Sequence, residues 1–358
     1  MSANPRRKVG VLTFHRCFNY GSYWQARCLV EGLRALGHDA ELLDHDCDAV
    51  NRAEARCLMQ PALPHRTARS DMPALKVKAR KFVAAVDALP LSPRFPLHRP
   101  EQSARYDAVV VGSDEVWNFR HPWYGGKPVF FGEGLQAERL VSYAASFGNH
   151  DADDGVGPRW AGLIGGFDSV SVRDANSRAL VTGATGMEPA LVLDPCLQFP
   201  EVVAPVDPGE PGPYAVVYGH GLPDWLARAV RRWSEAAGVR LVSVGYRNDW
   251  ADAQRIDAGP AEFAGLMAGA AAIVTNFFHG CVFALINAKP FVSAPSEYRF
   301  NKVRDLAAKL GAEHRIVTAA TPLDQVAALL DTPLEQPVAD RIAALRQESA
   351  RFLDAAFA

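Results

Sequence analysis

The chain has no run of roughly twenty uncharged apolar residues, so nothing in it reads as a membrane-spanning helix. The basic opening "MSANPRRKVGVLTF" reaches His15 and Arg16 after only a few apolar residues, too few for a signal-peptide core. Neither membrane insertion nor export is therefore expected. There is no basic excess: the net charge is −2, which argues against a nucleic-acid partner. The six cysteines (Cys17, Cys28, Cys47, Cys57, Cys196, Cys281) are scattered, with no CxxC pair to make a zinc knuckle or a redox motif. They read as reduced thiols of a cytoplasmic protein. No HExxH or other metal-ligand spacing occurs, so no metal is indicated. Internal repeats and low-complexity tracts are also absent.

What remains is the composition of a globular protein, 49% hydrophobic and 22% charged over 358 residues, a length that suits two domains. "KVGVLTF" (8–14), the helical "YWQARCLVEGLRALG" and "AELLDHD" (40–46) make a β-α-β opening of Rossmann type. Its loop "FNYGS" (18–22) is not GxGxxG, so nothing points to NAD. Residues 48–104 are harder to read. "MPALKVKARKFVAAVDAL" (72–89) is expected to be a helix with a solvated basic face.

Strand signals resume at "YDAVVVGSDEVWN" (106–118), "RLVSYAASFG" (139–148), "FDSVSVRDANS" (167–177) and "PALVLDPCL" (189–197), each ending in turn-forming residues. The proline- and glycine-dense "FPEVVAPVDPGEPGPY" (199–214) reads as a linker. Strand-helix alternation then restarts with "YAVVYGHG", "DWLARAVRRWSEAAG", "VRLVSVGY" and "AAIVTNFFHG". The expected fold is α/β, with two Rossmann-like domains facing across a cleft. Residues 1–200 are expected to form the first domain, on the acceptor side, and 201–336 the second, which carries the His-Gly motif. A terminal helix over 337–358 packs on one domain or crosses between them, with Ile342, Leu345, Phe352 and Leu353 at helical spacing.

Several polar groups fall on the turns that follow these strands, where open α/β sheets bind ligands. His279 ("FFHG") sits at a strand-to-helix junction; the plain alternative is a satisfied core histidine. Arg173 ("SVRD"), Arg299 and Lys302 ("EYRFNKV") would suit a small polyanion. Taken singly, Arg173 could instead pair with Asp174 or another carboxylate, and the other two could be surface residues. "GSDEVWN" sets Ser113 and Asp114 directly after a buried strand, where Asp114 either caps a helix or serves the reaction. Asn19 and Gly21 raise the same choice, helix entry or substrate contact. Asn276, ending the strand before His279, joins the substrate-binding candidates. A Cys281–His279 nucleophilic pair is discounted, because a cysteine opening a core helix is usually inert.

In this order and at these intervals, "FNYGSYWQARCL", "YDAVVVGSDEVWN", "SYAASFG", "SVRDANS", "LVLDPCL" and "TNFFHGCVFALINAKPF" resemble the polysaccharide pyruvyl transferase family, from about Val9 to about Gly311. The resemblance implies a fold like the GT-B glycosyltransferases and transfer of pyruvyl from phosphoenolpyruvate to a sugar or glycoconjugate, usually as a ketal. It implies no cofactor beyond that donor. The family's catalytic histidine falls on His279 and its phosphate-contacting arginine on Arg173. A lysine of the family falls on Lys302, with Arg299 near enough to compete. Imidazole is the side chain whose ordinary pKa lies closest to working pH, which suits a general acid. Asp114 would hold or deprotonate the acceptor. Phe277 and Phe278 stand where many members have Arg or Ser, and Glu115 where the family often has Gln; the apolar approach to His279 points to a less polar acceptor. A nucleotide-sugar glycosyltransferase and a catalytically silent binding protein are the competing readings, and a homo-oligomer is left open.

Overall fold

The computed structural model describes residues 6–61 and 65–358. The opening residues 1–5, part of the segment read as too short for a signal core, lie outside the described residues, as do 62–64 of the hard-to-read stretch. The chain forms two compact units. One takes the chain up to Glu54, Val86–Val202 and Ala343–Ala358; the other takes Ala55–Ala85 and Val203–Ile342.

The first unit is built on a parallel sheet in the order Asp39–Leu42, Lys8–Leu12, Tyr106–Val111, Ala137–Ser142. Val9, Val11, Leu12 and all of Ala108–Val111 are fully buried, as expected of strands covered on both faces. The chain leaves the first strand toward one edge and returns to its other side. Its order therefore reverses between Lys8–Leu12 and Tyr106–Val111, the place where such sheets open a crevice. The expected strands over 167–177 and 189–197 shrink to Ser171–Val172 and Ala190–Leu191, which pair with each other. Asp174 ends the first by capping the helix Ala175–Thr185, accepting Ser177 N at 2.7 Å, so the polar half of "SVRDANS" is helix entry rather than strand.

The second unit carries a five-stranded parallel sheet in the order Ala253–Arg255, Arg240–Val244, Tyr214–Tyr218, Ile273–Thr275, Phe291–Ser293. Numbered along this unit, that order is 3-2-1-4-5, with its reversal between Tyr214–Tyr218 and Ile273–Thr275.

The membership of residues 55–85 and the burial of one basic helix differ from the sequence reading. Residues 55–85 fold with the second unit although they precede most of the first. The helix Met72–Asp87 is not a simple solvated basic face, because Lys78 is buried. Its Nζ donates to Gly245 O at 3.1 Å and lies over the Tyr246 ring at 4.8 Å, and burial pulls its pKa down to about 7. Lys81 Nζ reaches both oxygens of Glu262 at 2.6 and 2.8 Å, and Arg247 pairs with Asp71. The terminal helix Gln336–Phe357 divides too, its part from Ala343 onward counting with the first unit. There Leu193 N donates to Ser349 Oγ at 2.9 Å, and Arg346 Nε donates to Leu197 O at 2.6 Å.

Arg315 has no exposed surface, yet it is fully engaged. It donates to the carbonyls of Phe291, Leu329, Thr332 and Pro333 and pairs with Glu335 Oε1 at 2.8 Å. Replacing it orphans several buried acceptors at once. Arg315→Met is expected to cost about 3–5 kcal/mol, the range for breaking a buried ion pair, read as a lower denaturant midpoint for the second unit.

Candidate active site

In the first unit the two loops at the reversal point are Thr13–Asn19 and Gly112–Glu115. Gly112 has φ +120°, and a Cβ there would collide with Tyr143 O. Only glycine fits this approach of two strand ends. Asp114 (φ 69°) and Ala144 (φ 52°), each just beyond one of those strands, occupy the left-handed region. Such strain costs about 1–3 kcal/mol per residue and gathers at functional sites.

Asp114 is nearly buried and holds two donors, Ser22 Oγ at 2.7 Å and Arg173 Nη2 at 3.2 Å. No helix begins at Asp114, so the capping alternative for it does not apply. Arg173 Nη1 donates to Asp194 Oδ2 at 3.1 Å. Arg173 therefore pairs with carboxylates, but with Asp114 and Asp194 rather than with its neighbour Asp174, whose carboxylate is taken up by Ser177 N and Ser146 Oγ. Burial pulls the Arg173 pKa down; Asp114, Asp194, Asp174 and Glu115 outweigh it and hold the guanidinium above its ordinary value. Asn19 Oδ1 accepts Gly21 N at 2.8 Å and Ser22 N at 3.3 Å, which makes it the cap of the helix Tyr20–Ala35. Ser113 is fully buried, its hydroxyl donating to Ala144 O at 3.2 Å. Asn19, Gly21 and Ser113 thus shape the loops that present Asp114 and Ser22.

In the second unit the matching loops follow Tyr214–Tyr218 and Ile273–Thr275. Asn276 Nδ2 donates to His220 O at 2.7 Å, bridging them, and its buried Oδ1 has no hydrogen-bond partner among the described residues. His279, at the start of the helix Phe278–Ile286, lies at the strand-to-helix junction expected for it and is largely buried. Gly280 explains the His-Gly pair, because a Cβ there would run into Thr275 Oγ1 and force the helix off its strand. Cys281 is buried, and burial pushes its thiol up to about 12, so it has no nucleophilic character.

Arg299 and Lys302 prove unequal. The Arg299 guanidinium stacks on the Phe277 ring at 4.5 Å, and its Nη2 lies 3.3 Å from His220 Nε2. Lys302 lies along the same helix, with Nζ 5.7 Å from the ring of exposed Tyr298. Asn276 and Arg299 therefore meet at His220; Asp114 and Arg173 meet in the other unit.

Three residues of these clusters, and one buried lysine outside them, carried no role in the sequence reading. Asp194 and Ser22 stood inside quoted motifs, "LVLDPCL" and "FNYGS", whose spacing says nothing about a partner far along the chain. His220 did leave a signal, because "YGHG" repeats the strand-then-His-Gly pattern of "FFHG". Lys78 left none, since helical spacing alone does not tell which lysine of a basic helix is covered.

Two Rossmann-like units in one chain place the protein in the GT-B-like fold class. UDP-GlcNAc 2-epimerase from Neisseria meningitidis bound to UDP-GlcNAc is similar at a TM-score of 0.51 and 9% identity, over 97% of this chain and 99% of that one. The same enzyme from Methanocaldococcus jannaschii gives 0.49 and 10% identity, over 92% and 93%. E. coli heptosyltransferase WaaC gives 0.41 and 13%, over 81% and 90%. Among curated proteins none matches the chain. Residues 19–296 match the model of the polysaccharide pyruvyl transferase family, and the chain belongs to that family. The matched segment includes Asn19, Asp114, Arg173, Asn276 and His279; Arg299 and Lys302 lie just beyond it. No helix among the described residues is long and apolar enough to cross a membrane.

Burial and then the Arg299 charge bring the His220 pKa down to about 4. A folded-state value below the unfolded one means that protonating His220 opposes folding. Its contribution to stability is whole above the ordinary histidine value of about 6.5 and is lost as pH falls toward 4. The imidazole proton resonance that disappears in His220→Gln should titrate near pH 4; a midpoint near 6.5 would show that it faces neither burial nor a cation.

Proposed function

We propose that the protein transfers the pyruvyl unit of phosphoenolpyruvate to hydroxyls of a saccharide or glycoconjugate and closes a ketal. The family match across residues 19–296 carries this reading. His279 acts as the general acid at the donor's methylene carbon: the electron pair of the C=C bond takes the proton, and positive charge develops at C2, shared with its oxygen. One acceptor hydroxyl adds to C2, and a second then displaces phosphate. Two hydroxyl protons are released; one restores His279 and the other leaves with phosphate, so the step balances. Asp114 holds the attacking hydroxyl, takes its proton and passes it to the departing phosphate, returning to the carboxylate.

A carboxylate and a phosphate on one small molecule need cationic partners once water is excluded. Arg173 and Arg299 fill that part. Arg299 is preferred to Lys302 because stacking on Phe277 and contact with His220 hold it at the sheet edge, and a planar guanidinium suits an oxyanion better than an ammonium does. Asn276, with its buried acceptor, and the backbone around Asn19, Gly21 and Ser113 complete the binding set. The reaction is placed in the cytoplasm, on the strength of the scattered cysteines, and needs no metal.

The test is phosphate release over a panel of saccharide acceptors, with phosphoenolpyruvate or a UDP-sugar as donor. Release should require phosphoenolpyruvate and yield an acceptor heavier by one pyruvylidene unit. Release of UDP instead would replace this reading with glycosyl transfer. His279→Ala should lower turnover by about 100-fold, a typical loss for a general acid, while leaving donor binding measurable; near-normal turnover would remove it from the acid role. A chelator should leave the rate unchanged, and a loss restored by one divalent ion would refute the metal-free scheme.

A further inference from the structure

The two carboxylates that hold Arg173 differ in how tightly they are themselves held. Asp194 is as buried as the guanidinium, and its second oxygen caps the short helix Pro195–Gln198 by accepting Cys196 N at 3.0 Å. Moving it would uncap that helix. Asp114 retains 13% side-chain exposure and sits on a left-handed loop residue, and its other donor is one serine hydroxyl. The remaining carboxylates that act on Arg173 are committed elsewhere, Asp174 to Ser177 N and Ser146 Oγ, and Glu115 to Asn118 Nδ2 at 2.7 Å.

Four carboxylates, Asp114, Asp194, Asp174 and Glu115, act on this one guanidinium. An oxyanion of the donor that approached Arg173 there would meet like charge, unless one carboxylate gave up its place.

We propose that Asp114 is the exchangeable partner of Arg173: a donor oxyanion takes its place on Nη2, and the displaced carboxylate turns to the acceptor hydroxyl. This rests on the phosphoenolpyruvate reading above. Arg173 stays fixed through Nη1 on Asp194, so the exchange needs motion of one loop residue only. The carboxylate that receives the hydroxyl's proton is thereby released by donor binding, and donor binding comes first in the order of events. Before the donor arrives, Asp114 is occupied and idle.

The test is calorimetric binding of phosphoenolpyruvate to the full chain, beside steady-state kinetics. Asp114→Asn keeps one acceptor oxygen for Arg173 and can turn its Nδ2 toward Ser22 Oγ, but removes the competing charge. It should tighten phosphoenolpyruvate binding on the order of tenfold, as expected for removing a nearby like charge, and lower kcat by about 100-fold. Asp114→Ser should show the same opposed shifts through a smaller side chain, and Asp114→Glu, which restores the charge, should bring binding back toward wild type. A merely structural ion pair would move binding and turnover in the same direction. Wild-type protein that binds phosphoenolpyruvate while both uncharged variants bind it no tighter overturns this proposal alone. Wild-type protein that does not bind phosphoenolpyruvate overturns the donor assignment and this proposal with it.

Discussion

Parallel strands order this protein's chemistry through a topological constraint. Every strand in both main sheets points the same way, so the loops that follow them gather along one edge, and where the strand order reverses, two adjacent loops leave in opposite directions and cannot cover each other. In the first unit those loops bring Asp114 to Ser22; in the second they bring Asn276 to His220. The side chains that matter are therefore supplied by strand endings rather than by any continuous motif, and each unit needs close backbone packing to present them. Gly112 and Gly280 mark where that packing leaves no room for a side chain.

The two edges hold their arginines differently. Arg173 lies among carboxylates that raise its affinity for its proton, and its charge is largely spent inside the protein. Arg299 is held by an aromatic face and lies beside an imidazole that burial keeps neutral.

Much of the architecture was legible from strand periodicity, because β-branched runs such as "YDAVVV" and "YAVVY" are buried on both faces and cannot be mistaken for surface. The junction position of His279 followed from the same signal. Pairing was not legible. Nothing in the spacing of "SVRD" tells Arg173 to reach past Asp174 to Asp114 and Asp194, since that choice is made by the helix cap that consumes Asp174. The division of the chain was likewise hidden: burying Lys78 depends on Tyr246 and Gly245, well over a hundred residues further along. The contacts of Arg299 with Phe277 and His220 were hidden as well, because these are its neighbours only in three dimensions.

The segments of the first unit are interrupted twice, by residues 55–85 and by the whole of 203–342. Ribosomal synthesis thus delivers the second unit in full before the last stretch of the first, which carries Ser349 and Arg346 to their partners at Leu193 and Leu197. Until that stretch emerges, the nascent first unit waits with an apolar flank uncovered, so its maturation is coupled to completion of a unit that shares none of its core. Shortening the polypeptide from its carboxyl side would consequently injure the half of the molecule made first.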